Sequence, residues 1–182
     1  MSNDVGSDAY AQYYDLDSFS YLCISHLLKN DEMVWKLLKY RTPDAWNLAN
    51  LTTDEKRALI YDGSDDSSRF RVFLDSGSPD AIVAEECIIR ISPHSLYPEN
   101  RTVGTVNILF EVYANFHINT LSNYKTRMDM IMQRFIQVFN GENIGGIGRL
   151  NFDKMGSYGD RAEYVGQIPI RGRWLIMSNK IS

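Results

Sequence analysis

One stretch constrains this chain more than any other. In "TVNILFEVYANFHINT", Val106, Ile108, Phe110, Val112, Ala114, Phe116 and Ile118 take every second position. Asn107, Leu109, Glu111, Tyr113, Asn115, His117 and Asn119 stand between them. A period of two sends the first set to one face of a strand and the second set to the other. The run predicts an unusually long strand, on the order of 40 Å at ~3.3 Å per residue, with one end projecting beyond a compact domain. A different rhythm follows. Met128, Ile131, Met132, Phe135, Val138 and Phe139 recur at three- and four-residue steps, while Lys125, Arg127, Asp129, Gln133, Arg134 and Gln137 fall on the other side. That spacing predicts an amphipathic helix, capped by Ser122 or Asn123, lying across the apolar face of the strand. The expected class is therefore α+β: an antiparallel or mixed sheet with a long amphipathic helix packed on one face.

The remainder of the chain divides around this unit. Residues 1–17 are acidic and hold Tyr10, Tyr13 and Tyr14, which reads as a flexible arm able to order on a partner. Residues 18–62 carry helical patterns. Phe19, Leu22, Cys23, Leu27 and Leu28 form one stripe, with Asp17 or Ser18 to cap it. In "NDEMVWKLLKY", Asn30 or Asp31 caps a helix whose Val34, Leu37 and Leu38 point inward. Thr52 and Glu55 make a capping box for a third helix. Residues 69–182 hold the sheet-plus-helix domain, beginning with short strands in "RFRVFL" and "EECIIRI". Near the end, Ile168, Ile170, Trp174 and Ile176 share one parity, and Arg171 and Arg173 project from the other face. Pro169 lacks an amide and suggests an edge position or an interruption of the ladder.

Several stretches invite a chemical reading, and each has a plainer one. "ENIGGIGRLNF" crowds its glycines between a helix and a strand. A dinucleotide site needs the reverse order, strand then glycines then helix, because the phosphate sits where free helix amides converge. The glycines therefore turn the chain. His26, His94 and His117 show no metal-ligand spacing, and adjacent Glu85 and Glu86 would face opposite sides of a strand. "DGSDDSS" lacks the glycine and terminal glutamate of a calcium loop. Cys23 and Cys87 sit among apolar residues as small hydrophobes, although a disulfide between them stays open. Net charge is −4, from 19 basic and 23 acidic side chains, which gives no general attraction to nucleic acid. Arg171 and Arg173 could line a channel for DNA or pair with acids such as Asp153, Asp160 and Glu163. No apolar run approaches the ~18 residues of a membrane helix, and the start lacks a signal-peptide pattern. The expectation is a protein that is no enzyme, with no catalytic, cofactor-binding or metal residues and no cofactor.

The order of helices, short strands, long strand, helix, glycine turn and returning strand resembles the tail-terminator and tail-completion proteins of tailed bacteriophages, with related neck proteins. Over about residues 86–177, "TRMD", with Arg127 and Asp129, and "GGIGRLNF" carry the likeness. The resemblance implies a structural virion protein, assembled in the host cytoplasm, that forms a homo-oligomeric ring, commonly a hexamer. The ring would cap the tail tube and join it to the neck. Partners would be tail tube and neck proteins, with DNA only passing through a central channel and no membrane contact. The large helical region leaves open another neck component, such as a head-closure protein. An adaptor domain of a different multiprotein assembly is the alternative.

Overall fold

A computed structural model describes residues 18–64, 67–74, 86–98, 104–145, 148–158, 164–165 and 168–181. The arm and its three tyrosines lie outside them. Helix α1 (Ser18–Asn30) buries Phe19, Cys23, Ile24 and Leu27. Helix α2 (Met33–Lys39) buries Val34, Trp35, Leu37 and Leu38, and Asp31 Oδ1 accepts the Val34 amide at 2.6 Å. A 3-10 turn at Ala45–Asn47 leads to α3 (Thr53–Arg57). There the capping box forms: Thr52 Oγ1 accepts the Glu55 amide, and Glu55 Oε2 accepts the Thr52 amide.

The sheet then builds from β1 (Val72–Phe73), β2 (Cys87–Pro98) and β3 (Gly104–Asn115). After α4 (Phe116–Asn119) and α5 (Arg127–Phe139) come β4 (Asn151–Ser157), β5 (Tyr164–Val165) and β6 (Ile168–Ile181). Five strands run in the order β1-β2-β3-β6-β4, with β5 paired to the start of β6. Only β1 with β2 is parallel, so the sheet is mixed and the class is α+β. "RFRVFL" contributes just Val72 and Phe73 as strand.

Strand alternation explains the core. Val106, Ile108, Phe110, Val112 and Ala114 are all fully buried on one face of β3. Helix α5 lies on that face, with Phe110 5.2 Å from Phe135 and 5.0 Å from Phe139 between ring centroids. Leu175 and Met177 stand opposite Phe110 and Ile108 on β6 and complete the floor. One cluster of buried side chains includes residues of α1, α2, β2, β3, α5 and β6.

Four expectations are corrected. The strand ends at Asn115, not Ile118, because the Asn115 side chain accepts the His117 amide and starts α4. Helix α5 is capped by Thr126 rather than Ser122 or Asn123; Thr126 Oγ1 accepts the Asp129 amide at 3.1 Å. Arg127, expected on the solvent side, is wholly buried. Strand β6 is no edge, since it lies between β3 and β4; Pro169 instead marks an interruption of the ladder, just past Ile170, the last partner of β3. Its arginines share the face of Leu175 and Met177, so they stand on the helix-bearing side.

Candidate functional site

The glycine turn positions the most accessible part of the sheet. Gly141, Gly145 and Gly148 have φ of 83°, 49° and 85°, values that side chains with a Cβ adopt at a cost. The Gly141 amide donates to Leu150 O at 2.7 Å, and the Leu150 amide donates to Glu142 O at 3.0 Å. The chain thus doubles back from the end of α5 into β4. Gly146 and Ile147 lie outside the described residues. Among the described strands, β4 pairs only with β6 and ends the sheet. A register shift between Phe152 and Lys154 lets Phe152 oppose Met177 and Met155 oppose Leu175. Both apolar side chains therefore stand on the helix-bearing face, yet they are 43% and 45% exposed.

The other face of the sheet is polar and aromatic. Glu111, opposite Arg90 on β2, is 5% exposed. Its Oε1 accepts the Tyr113 hydroxyl at 2.9 Å and also the Tyr158 hydroxyl. The two phenol rings stack with centroids 5.7 Å apart. Gly172 leaves room for them, since a Cβ there would meet Tyr158 Cδ2 at 2.8 Å and Tyr113 Cε1 at 2.9 Å. Burial, and then the Glu111 carboxylate, pushes the Tyr113 hydroxyl up to about 12 and raises that of Tyr158 as well. Both phenols keep their protons at neutral pH and donate to Glu111, which makes a fixed platform. Trp174 lies against Gly156 in the same way. Further along, Ser178 Oγ donates to Asn107 Oδ1 and Asn107 Nδ2 donates to Ser95 Oγ, a polar row across β6, β3 and β2. Sequence reasoning did not single out Glu111, Tyr158 or Trp174. The available signal was a glycine inside each of two strands, which marks close approach.

Arg127 joins the helical layers. Its five N–H donors meet five carbonyls: Nε to Ile118 O at 3.0 Å, Nη1 to Leu37 O at 2.5 Å and Tyr40 O at 2.8 Å, and Nη2 to Arg41 O at 3.3 Å and Thr42 O at 3.1 Å. Burial lowers its pKa, but a guanidinium remains charged. Arg134 reaches from α5 to the buried Asp31 carboxylate at 2.5 Å, a second strap to the α1–α2 corner.

The side chains weighed as chemical candidates have structural partners or stand in solvent. His26 Nε2 lies 3.1 Å from Val138 O, and His94 and His117 are exposed on β2 and α4. Glu86 pairs with Arg71 at 2.5 Å and Arg41 at 2.8 Å; burial raises its pKa while the two cations pull it down. Glu85 lies outside the described residues, as do Asp65, Asp66, Asp160 and Glu163. Asp62 pairs with Arg69 at 3.4 Å. Arg173 pairs with Asp129 of α5 at 2.6 Å, and Arg171 lies over the Phe116 ring. Cys23 and Cys87 are free, and burial pushes each thiol up to about 12. Among the described residues no three His, Cys, Asp or Glu side chains are placed to hold a metal ion. No helix there is long and apolar enough to cross a membrane.

No curated protein matches the chain. The model of one family, YomW, matches residues 31–170. That span runs from the Asp31 strap through the Arg127 latch and the glycine hairpin to the start of β6, leaving out α1 and most of β6. The chain belongs to the YomW family and is a phage-associated protein.

Proposed function

We propose that this chain is a structural, non-enzymatic subunit of the phage head–tail connector, forming a homo-oligomeric ring, a hexamer, that ends the tail tube and joins it to the neck. The observation that carries the reading is β4. This strand ends the sheet among the described elements and shows Phe152 and Met155 to solvent on its helix-bearing face. An open edge with apolar side chains invites pairing, and a closed ring consumes such edges by giving each one a neighbour. The rigid body behind it suits a part that is assembled once and kept. Its place would be the virion, its partners the tail tube and neck proteins, and DNA would only pass through the central channel. The large helical layer locked on by Arg127 favours, as a second reading, another neck component such as a head-closure protein.

Light scattering and negative-stain imaging test the proposal. A closed ring that binds the end of isolated tail tubes is expected. A strict monomer at tens of micromolar, alone and with tail or neck components, would overturn it. One-to-one binding to a partner with no ring would point instead to an adaptor domain.

A further inference from the structure

Tyr124 is the misfit of the described fold. Its φ of 62° is the one positive value among the described residues that are not glycine. The surrounding turn accounts for the backbone. The Tyr124 amide donates to Leu121 O at 3.0 Å, the Leu121 amide donates to Lys125 O at 3.0 Å, and Thr120 bridges Thr126. A tight turn closed by one left-handed residue normally places glycine there, because a Cβ is strained in that conformation. Nothing about the turn needs an aromatic ring, and the ring gains little within the chain, being 96% exposed. A strained backbone holding a large apolar group in water points to a contact outside the chain.

A complementary step lies at the other end of the same helix. Thr126, two residues after Tyr124, caps the start of α5, and Asn140 at its end accepts the Phe152 amide at 2.8 Å. Thirteen helical residues separate the two ends, about 20 Å at ~1.5 Å per residue. There Phe152 and Met155 stand half-exposed on the helix-bearing face, with no described helix laid over them. The charges also complement. Lys125 is exposed next to Tyr124, while Glu142 and Asp153 are exposed around the step. Alternation about buried Leu150 sends Arg149 to the far face, and pairing with Ile176 sends Lys154 there too.

We propose that the Tyr124 turn of one copy docks against the Phe152–Met155 step of a second copy, joining subunits head to tail along α5; this rests on the connector reading above. Plug and socket are different surfaces, so each added copy leaves one of each free until the chain closes on itself. The contact is small beside the ~800 Å² per partner of a stable pair. An isolated pair is therefore weak, and closure supplies the remainder by making the last contact intramolecular.

Tyr124→Gly separates folding from assembly, because it removes the ring and the backbone strain together. The expected result is a higher Tm with assembly lost or its midpoint concentration raised at least tenfold; Tyr124→Asn, which tolerates the same φ, should lose assembly in the same way. In otherwise unaltered chains, Lys125→Cys on one copy and Asp153→Cys on another should be joined by a short bismaleimide, and a chain with both changes should give a ladder. The buried Cys23 and Cys87 do not compete. If the unaltered protein assembles and Tyr124→Gly assembles equally well, or the cross-link does not form, this interface is wrong and the ring reading stands. If the unaltered protein stays monomeric alone and with tail components, both fall.

Discussion

At the scale of single residues, Arg127 shows how a position can be read correctly in type and wrongly in place. Helical spacing puts it on the polar side of α5, but its side chain begins the first turn and bends into the corner between α2 and α4. There the C-terminal carbonyls of α2 would otherwise be left without donors. A guanidinium offers five donors in a planar fork, whereas an ammonium offers three around a point. Arg127→Leu should therefore cost about 3 to 5 kcal/mol, because several buried carbonyls lose their donor at about 1 to 3 kcal/mol each. Arg127→Lys should recover less than half of it. Urea unfolding of the two variants checks both statements. The buried thiols make a second residue-scale prediction: Cys23 and Cys87 should react with a thiol reagent only as fast as the fold opens, and at the rate of free cysteine once unfolded.

At the scale of elements, the decisive pairing is α5 on β3. Phe135 is fully buried between Phe110 and Phe139, so Phe135→Ala should cost about 3 to 5 kcal/mol. On the opposite face, Gly172→Ala drives a methyl into two phenol rings that Glu111 holds in place. Neither ring can swing away without breaking its hydrogen bond, and a loss of about 1 to 3 kcal/mol is expected. Thermal melts distinguish this from Gly156→Ala, where the half-buried Trp174 can yield and the cost should be smaller. These patterns were legible to different degrees. The alternation in β3 and the stripe in α5 are local periodicities, and local periodicity survives in sequence. The crossing of β6 between β3 and β4, and the pairing of Arg173 with Asp129, depend on which strands become neighbours, and neither leaves a local trace.

At the scale of the whole molecule, the buried acids set the alkaline limit of stability. Burial raises the Cys23 and Cys87 thiols from 9.0, and the Tyr113 hydroxyl from 10.0, to about 12. The folded protein keeps these protons after the unfolded chain has lost them. Unfolding then releases protons, so stability falls as pH rises. Chemical denaturation between pH 8 and 12 should show a plateau up to about pH 9 and a steady decline beyond it. Cys87→Ala should flatten part of that decline, although it leaves a small cavity of its own. Shape follows the same logic of burial: α1, α2 and α5 cover one side of the sheet as far as β6, and β4 extends past them. The apolar step there is a property of the assembled layers, and no stretch of chain contains it.

The sequence alone determined the class, the inward face of β3, the buried face of α5, the capping box at Thr52 and the turning role of the glycines. Each of these depends on residues a few positions apart, through side-chain periodicity or a local hydrogen bond. Tertiary structure alone decided what Arg127 holds, which acid pairs with Arg173 and which apolar groups stay in water. Those outcomes are set by partners dozens of residues away, chosen by the fit of whole surfaces that no local pattern encodes.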